Sequence, residues 1–203
     1  MDVNSVGIVG AGQMGNGIAH VFALAGFEVL MTDISQDALD KAVALIGKNL
    51  DRQVTRGKIS VEARDTAMAR IRTTLRLADL GATDLVIEAA TERETVKQAI
   101  FEDLLPHLKP HTILTSNTSS ISITRLASRT DRPEKFMGFH FMNPVPVMEL
   151  VELIRGIATD EATYRTLVDV VKKLGKTAAS AEDFPAFIVN RILMPMINEA
   201  VYT

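Results

Sequence analysis

Hydrophobic and polar residues follow two different periods along this chain. Short apolar runs, such as residues 6–9, 84–88 and 136–141, have the composition of strands buried on both faces of a sheet. Longer segments between them place apolar residues every three or four positions, as in an amphipathic helix. Strands that alternate with helices predict an α/β fold built on a doubly wound, largely parallel sheet.

Capping residues and turn signals set the boundaries of these elements. Strands are predicted at residues 6–9, 71–75, 84–88, 112–116, 136–141, 148–154 and 176–181, with another that ends at Asp33. Helices are predicted at residues 14–25, 35–56, 60–69, 94–108, 123–128 and 159–174. Ser35 and Thr159 are the expected N-caps, because their hydroxyl oxygens can accept a hydrogen bond from a first-turn N–H group.

The last stretch of the chain, residues 186–202, is apolar on almost every side. Pro185 suits the first turn of a helix, so we predict a helix here, with a kink at Pro195. A helix that is apolar all round is normally buried all round, yet nothing in the sequence follows to cover it. We expect the sequence to be a piece of a longer protein. The alternative is a partner that covers the helix.

Composition narrows the class of protein. The chain has 203 residues, a net charge of −3 and no cysteine. The charge argues against binding nucleic acid or an anionic membrane, and the lack of cysteine excludes disulfides, thiolate catalysis and zinc–thiolate sites. No lysine or arginine precedes Lys41 and no apolar run has the length of a membrane span, so we expect a soluble, cytoplasmic protein. No histidine and aspartate spacing indicates a metal site.

A glycine-rich turn joins the first predicted strand to the first helix. Gly10, Gly12 and Gly15 have the GxGxxG spacing, which provides a tight turn, close approach of a pyrophosphate and close helix–strand packing, respectively. Gln13 and Met14 lie where the turn leads into the helix, and we predict that they also contact the cofactor. The free N–H groups of this helix start attract phosphate oxygens. This arrangement predicts a Rossmann-type domain that binds a dinucleotide. The alternative is a structural glycine turn that binds no nucleotide.

Asp33 ends the second predicted strand, 23 residues after Gly10. A carboxylate at this position accepts hydrogen bonds from a ribose 2′-hydroxyl and repels a 2′-phosphate. The next three residues, 34–36, include no arginine that would bind such a phosphate. The sequence therefore predicts NAD, rather than NADP, as the cofactor.

A candidate acid–base pair lies later in the chain. His140 is flanked by phenylalanines, where an unpartnered imidazole is costly to charge. Glu152 belongs to the following apolar strand, where an acid also needs a partner. Since ligands of open α/β sheets bind outside the carboxyl ends of the strands, we predict that His140 and Glu152 act together beside the cofactor. The alternative is a core histidine bonded to a backbone carbonyl, with Glu152 on the solvent face.

Other reaction types lack the residues that they need. The GxSxG turn of many hydrolases is absent, and Ser119 has no histidine near it in the sequence. Its hydroxyl is better interpreted as a hydrogen-bond partner for a substrate oxygen. The remaining histidines lie on or beside predicted helices and are interpreted as surface or packing residues: His20, His107 and His111.

Several stretches together resemble one enzyme family, the L-3-hydroxyacyl-CoA dehydrogenases, which include the short-chain 3-hydroxybutyryl-CoA enzymes. The match runs in register from about Val3 to the last residue. It rests on GAGQMGNGIA, VIEAATERETVK, SNTSSISIT, GFHFMNPVPVMELVELI and DFPAFIVNRIL. The resemblance implies reversible, NAD-dependent oxidation of a (3S)-3-hydroxyacyl-CoA to the 3-oxoacyl-CoA, with a short-chain substrate such as 3-hydroxybutyryl-CoA or acetoacetyl-CoA.

The resemblance also implies roles for single residues. His140 would be the general base that removes the 3-hydroxyl proton, oriented by Glu152, while Ser119 and Asn190 would hold the substrate oxygen and the catalytic group. Contacts with NAD beyond the glycine turn are implied for Glu92, Lys97, Ser119 and Asn143. A looser alignment implies contacts with coenzyme A for Asn49 and Arg56, against the alternative that they lie on a solvated helix face.

The sequence departs from the family pattern in three places. Met142 replaces a frequent phenylalanine, and Ala186 replaces the glycine of the usual DxPGF motif, which is expected to shift the entry to the last helix. The family also has a further all-helical domain that binds substrate and forms a homodimer. We therefore expect residues 1–184 to be the NAD-binding domain and residues 185–203 to be the first helix of a truncated helical domain.

Two other functions remain open on the sequence alone. A related dehydrogenase could act on a polyol or a sugar acid instead of a thioester. The 203 residues could also bind NAD without turning over a substrate.

Overall fold

An eight-stranded sheet runs through the protein, whose computed structural model describes residues 2–203. The strands are β1 (Ser5–Val9), β2 (Glu28–Thr32), β3 (Ile71–Thr74), β4 (Leu85–Glu88), β5 (Ile113–Ser116), β6 (Phe136–Phe141), β7 (Leu150–Arg155) and β8 (Thr177–Glu182). Their spatial order is β3-β2-β1-β4-β5-β6-β7-β8. Every neighbouring pair is parallel except β6 and β7. The predicted Rossmann-type sheet is confirmed.

The helices lie close to their predicted positions. They are α1 (Gln13–Leu24), α2 (Gln36–Thr55), α3 (Val61–Ala69), α4 (Glu94–Leu104), α5 (Ile123–Ala127), α6 (Glu161–Lys173) and α7 (Val189–Tyr202). As predicted, Ser35 is the N-cap of α2, and its hydroxyl accepts the N–H of Ala38 at 3.3 Å. Helix α4 ends earlier than predicted, because the chain continues as a 3₁₀ turn that contains Pro106.

The predicted cap of α6 is wrong by one residue. Asp160 is the N-cap and accepts the N–H of Thr163 at 2.6 Å. The hydroxyl of Thr159 instead donates to the carbonyl oxygen of Phe136 at 2.7 Å and accepts the N–H of Gly156 at 2.9 Å. Thr159 thus joins the start of β6 to the end of β7, and the neighbouring acid, an equally good cap, takes its place.

Buried side chains form one cluster on each face of the sheet, because alternate residues of a strand point to opposite sides. In β1, Val6 and Ile8 belong to the larger cluster, and Val9 belongs to the smaller one. Helices α1, α2, α3 and α6 pack on the larger cluster, while α4 and α5 pack on the smaller one. The sheet is therefore covered on both faces, as a doubly wound fold requires.

The entry to the last helix differs from the prediction. Ala186 and Phe187 have φ angles of 69° and 50°, in the left-handed region, so the helix cannot begin at Ala186. Instead α7 begins at Val189 and continues past Pro195. Glycine adopts such a φ at little cost, which gives a physical reason for the family's glycine at position 186. The apolar side chains of α7 are exposed, including Ile192, Met194, Met196, Ile197, Val201 and Tyr202.

Gly15→Ala tests the packing of α1 against the glycine turn. The added methyl group would overlap the carbonyl oxygen of Gly10, so α1 would have to move. We expect this change to lower the free energy of unfolding by about 2 kcal/mol or more, measured by urea denaturation. Gly12→Ala is the matched control and should unfold like the wild type, since nothing lies within 4 Å of its added methyl group. An unchanged midpoint for Gly15→Ala would contradict this packing.

Candidate active site

The glycine turn has the shape that the sequence predicts. Gly10 has a φ of 105°, and a side chain here would approach the carbonyl oxygen of Ala89 to 2.7 Å. No side chain caps the start of α1, so its first N–H groups remain available to an anion. Gly12 is exposed beside them with open space around its Cα atom. The backbone here can therefore receive a phosphate group at close range.

Asp33 stabilises the glycine turn by hydrogen bonds, and it also borders the cleft. One carboxylate oxygen accepts the N–H of Ala11 at 2.8 Å, and the other accepts the N–H of Ser35 at 3.1 Å. Asp33 also borders a cavity of about 730 Å³ that includes Gly12 and Gln13, together with Met14 and apolar residues that follow β2 and β3. The predicted contact with a ribose hydroxyl remains a prediction, and the cavity offers the space for it.

Lys97 is buried beneath the cleft, with 1% of its side chain exposed. Its ammonium group lies 2.8 Å from both carboxylate oxygens of Glu88, which is fully buried. The hydroxyl of Ser116 donates to the same carboxylate at 2.6 Å. Lys97 also lies 3.4 Å from Glu92. The structure therefore connects Lys97 to the cleft through Glu92, and a direct contact with a cofactor remains a prediction.

Glu92 organises the turn that follows β5. One carboxylate oxygen accepts hydrogen bonds from the hydroxyl of Thr118 at 2.5 Å, the N–H of Ser119 at 3.0 Å and the hydroxyl of Ser120 at 3.1 Å. Burial opposes ionisation, but the bond from Thr118 and the charge of Lys97 outweigh it and lower the pKa of Glu92. The predicted site residues Glu92 and Ser119 are thus in direct contact.

His140 and Glu152 face each other across the antiparallel strands β6 and β7. The Nδ1 atom of His140 lies 2.7 Å from Oε2 of Glu152. His140 is 7% exposed and Glu152 is fully buried. The structure excludes the alternative in which Glu152 lies on the solvent face. The charged carboxylate accepts the proton of Nδ1–H, so Nε2 of His140 is left free to accept a proton.

The other oxygen of Glu152 binds the start of the last helix. Oε1 accepts the N–H groups of Ile188 at 2.9 Å and Val189 at 2.8 Å. Burial alone would raise the pKa of Glu152, but the hydrogen bonds from His140, Val189 and Ile188 outweigh it and the pKa is lowered. Glu152 is therefore held as a carboxylate beside the imidazole.

Asn190 and Asn143 complete the predicted set on this side. The amide nitrogen of Asn190, in the first turn of α7, donates to the carbonyl oxygen of Ser119 at 3.2 Å. This contact links α7 to the turn that follows β5. Asn143 precedes a cis peptide bond to Pro144, just beyond β6.

A second cavity, of about 590 Å³, also borders the glycine turn at Gly12 and Gln13. Asn143 borders it together with Asn49 and Lys41 of α2. Arg56 lies at the exposed end of α2 and does not border this cavity. The structure brings Asn49 close to the cleft, while the implied role of Arg56 remains a prediction.

The remaining histidines take no part in the cleft. His20 of α1 is buried, and this burial, together with the charge of Lys176, lowers its pKa to about 4. His107 and His111 are exposed. Their interpretation as packing or surface residues is confirmed.

Residues 5–184 match the family of 3-hydroxyacyl-CoA dehydrogenase NAD-binding domains. The chain is 61% identical to a 3-hydroxybutyryl-CoA dehydrogenase of Bradyrhizobium diazoefficiens over 201 residues, which cover 99% of this chain and 69% of that protein. The chain belongs to the 3-hydroxyacyl-CoA dehydrogenase family.

Another relative and a solved structure support the same family membership. A probable 3-hydroxybutyryl-CoA dehydrogenase of Bacillus subtilis is 45% identical over 202 residues, which cover 100% of this chain and 70% of that protein. The crystal structure of the (S)-3-hydroxybutyryl-CoA dehydrogenase of Ralstonia eutropha superposes with a TM-score of 0.96 at 48% identity, covering 98% of this chain and 70% of that one. The family resemblance inferred from the motifs is therefore confirmed.

The predicted cofactor is NAD, and the family match shows an NAD-binding domain. The structure of the cleft also fits NAD, independently of the family match. The uncapped start of α1 and the open space at Gly12 can receive a pyrophosphate, and the cavity at Asp33 can receive a nucleoside.

Two absences apply to residues 2–203. Within that range, no group of three or more histidine, aspartate or glutamate side chains is placed to hold a metal ion. None of the helices described there is long and apolar enough to cross a membrane.

Sequence reasoning missed the residues that hold the predicted ones. Glu88 ends a buried strand, where an acid needs a partner, and this position is the only indication in the sequence that Glu88 pairs with a cation such as Lys97. Asp183 and Phe187 lie within the DFPAF stretch, but only their contacts in the folded chain reveal what they do. Asp183 binds the start of α5, and Phe187 packs 6.2 Å from the His140 ring, between ring centroids.

Gly12→Ala separates cofactor binding from folding in this dehydrogenase. Its methyl group meets nothing in the protein but would occupy the space in which a pyrophosphate approaches the backbone. We expect the affinity for NAD to fall by about tenfold or more, measured by fluorescence titration, while the unfolding midpoint stays the same. Wild-type affinity for NAD would show that the phosphates lie elsewhere.

Proposed function

We propose that the protein catalyses the reversible oxidation of a short-chain (3S)-3-hydroxyacyl-CoA to the 3-oxoacyl-CoA with NAD. The observation that carries this proposal is the buried contact of 2.7 Å between His140 and Glu152, in a domain whose glycine turn and cavity at Asp33 suit NAD. The relatives that are named 3-hydroxybutyryl-CoA dehydrogenases support the choice of substrate.

His140 is the general base in this proposal. Its Nδ1–H donates to Glu152, and its Nε2 accepts the proton of the 3-hydroxyl group as the carbonyl forms. Since Oε1 of Glu152 is held by two backbone N–H groups, the carboxylate remains in place and stabilises the imidazolium that results. In the reverse direction, the same imidazolium returns its proton to the substrate oxygen.

Ser119 binds the substrate oxygen in this proposal, and Asn190 positions Ser119. Ser119 is half-buried in the turn that Glu92 holds, and its hydroxyl makes only a long hydrogen bond of 3.4 Å to Glu92. The hydroxyl can therefore turn to donate to a substrate oxygen that gains negative charge. Asn190 binds the same turn through the carbonyl oxygen of Ser119. Their contact keeps α7 and the turn at a constant distance while the charge develops.

The glycine turn and Glu92 orient the cofactor in this proposal. Gly10, Gly12 and the start of α1 would hold the pyrophosphate, and Asp33 would accept hydrogen bonds from the ribose hydroxyls. Glu92 and Asn143 lie further along the same edge of the sheet, where they would contact the part of the cofactor nearest His140. NAD⁺, when bound, accepts the hydride that leaves C3 of the substrate.

Coenzyme A extends over α2 in this proposal. The cavity beside Asn49 and Lys41 lies next to Asn143 and provides hydrogen-bond donors for an anionic ligand. The ammonium group of Lys41 pairs with Asp37 at 2.6 Å on the exposed surface of α2, where an anionic ligand could compete for it. Arg56, at the exposed end of the same helix, would meet a more distant phosphate of the ligand. Lys41 was not singled out from the sequence, and only its place on the cavity wall suggests it.

The assembly and the location complete the proposal. The exposed apolar side chains of α7 support a homodimer in which another protein surface covers this helix. We assign residues 1–184 to the cofactor-binding domain and residues 185–203 to a helical substrate and dimerisation domain. We place the protein in the cytoplasm, where NAD and acyl-CoA substrates are both available.

His140→Gln tests the proposed base. We expect the turnover of acetoacetyl-CoA with NADH to fall by about a hundredfold or more, because the glutamine cannot exchange the proton. NAD binding should be retained, since His140 borders neither of the two cavities described above. The matched control is His111→Gln, an exposed histidine that should leave turnover unchanged. Near-normal turnover of His140→Gln would refute the mechanism.

The choice of NAD over NADP is a separate prediction. Asp33 borders the cavity, where its carboxylate would repel a 2′-phosphate. We expect NAD to bind at least about tenfold more tightly than NADP in a fluorescence titration. Asp33→Ala should reduce this preference, and equal affinities in the wild type would contradict the role given to Asp33.

A further inference from the structure

The segment between β8 and α7, residues 183–188, doubles back along β7. Its first residue, Asp183, lies beside Arg155, and the N–H of Asp183 donates to the carbonyl oxygen of Arg155 at 3.1 Å. Its last residue reaches Glu152, which lies three positions earlier in the same strand. We call residues 183–188 the connector. Because the connector contains two residues with left-handed φ angles, specific contacts must hold its path.

Asp183 fixes the first end of the connector. Its carboxylate accepts three hydrogen bonds: from the hydroxyl of Ser122 at 2.7 Å, the N–H of Ile123 at 3.0 Å and the N–H of Thr124 at 2.8 Å. Burial opposes ionisation, but these bonds outweigh it and lower the pKa of Asp183. The connector is thus fastened to α5 by a charged group.

Phe187 fixes the middle of the connector. Its side chain is 4% exposed and belongs to the buried cluster that includes Ile123 and Ile154. Its ring also lies edge-on to the imidazole of His140, with the ring centroids 6.2 Å apart and the planes at 60°. A left-handed φ of 50° at a phenylalanine is unusual, and it turns this ring toward the core and His140.

The C-terminal end of the connector is hydrogen-bonded to Glu152. The N–H groups of Ile188 and Val189 converge on Oε1, the oxygen that His140 does not use. Without these two N–H groups, no water could replace them, because Glu152 is fully buried. The carboxylate would then rotate or accept a proton. The catalytic pair therefore depends on where the connector ends.

We propose that the connector positions the His140–Glu152 pair for catalysis, with Asp183 and Phe187 as its positioning residues. Neither residue needs to touch the substrate. Asp183 sets where the connector starts, Phe187 fills the space beside His140, and the two N–H groups that follow hold Glu152. This inference rests on the proposed function, in which His140 and Glu152 carry the proton.

Asp183→Ala is the main test, and Glu182→Gln is the matched control. Glu182 is the preceding acid and is exposed. Measured on the protein's full chain, the turnover number of Asp183→Ala with acetoacetyl-CoA and NADH should fall by about tenfold or more, because the pair loses its alignment. The KM for NADH should stay within about twofold, since the connector lies outside the glycine turn. Glu182→Gln should match the wild type in both constants.

Two milder variants keep the test decisive if Asp183→Ala does not fold. Asp183→Asn retains one acceptor oxygen, so its turnover number should lie between those of Asp183→Ala and the wild type. Phe187→Leu retains an apolar side chain but loses the ring beside His140. Its turnover number should also fall, with a smaller change in the KM for NADH.

A titration of Glu152 gives a readout that does not depend on turnover. The carboxyl carbon of ¹³C-labelled glutamate is followed by NMR, and the signal is assigned with Glu152→Gln. In the wild type the pKa of Glu152 is lowered by its hydrogen bonds. In Asp183→Ala it should rise, because the N–H groups of Ile188 and Val189 move away while burial remains. It should not move in Glu182→Gln.

The outcomes separate the two proposals. A folded Asp183→Ala with an unchanged turnover number and an unchanged Glu152 titration would overturn the inference and leave Asp183 as a cap of α5 only. A wild-type protein that does not turn over acetoacetyl-CoA would overturn the proposed function. In that case a rise of the Glu152 pKa in Asp183→Ala would still support the connector's effect on the pair.

Discussion

The carboxylate of Glu152 has no contact with water and is bonded at both oxygens. The imidazole of His140 takes one oxygen, and two backbone N–H groups at the start of α7 take the other. A buried carboxylate is stable only when donors converge on it in this way. Strands β6 and β7 and the start of α7 therefore share a single polar contact. If one of them moved, the other two would be left with an unpaired charge or unpaired N–H groups in a dry environment.

The reversal of direction after β6 makes this contact possible. Parallel strands need a long crossover, which usually carries a helix, whereas β7 returns directly beside β6 after the turn that contains Pro144. His140 and Glu152 then lie in register on neighbouring strands, on the face covered by α4 and α5. In the proposed mechanism, the parallel part of the sheet provides the cofactor site, and the antiparallel pair provides the acid–base chemistry at its edge.

A buried ion pair supports the other wall of the cleft. Glu88 and Lys97 are both almost fully buried, and their charges are balanced by each other, by the hydroxyl of Ser116 and by the nearby Glu92. Breaking one member of such a network leaves an uncompensated charge, which costs more than the pair gains in stability. Glu92 in turn holds the turn of Ser119. The turn that carries Ser119, which binds the substrate in the proposed mechanism, is thus stabilised by a buried network of charged groups.

Periodicity, glycine spacing and family motifs were enough to predict the fold class, the cofactor and the contact between His140 and Glu152 from the sequence alone. These features are readable because each is local: a strand alternates, a turn needs glycine, and His140 and Glu152 each sit in an apolar strand where a polar group demands a partner. The tertiary structure alone decided the burial of Lys97, the use of Asp160 instead of Thr159 as a cap, the left-handed path at Ala186 and the role of Asp183. Those outcomes depend on contacts between distant segments, such as the 61 residues that separate Ser122 from Asp183. No local pattern records which distant group a side chain will meet.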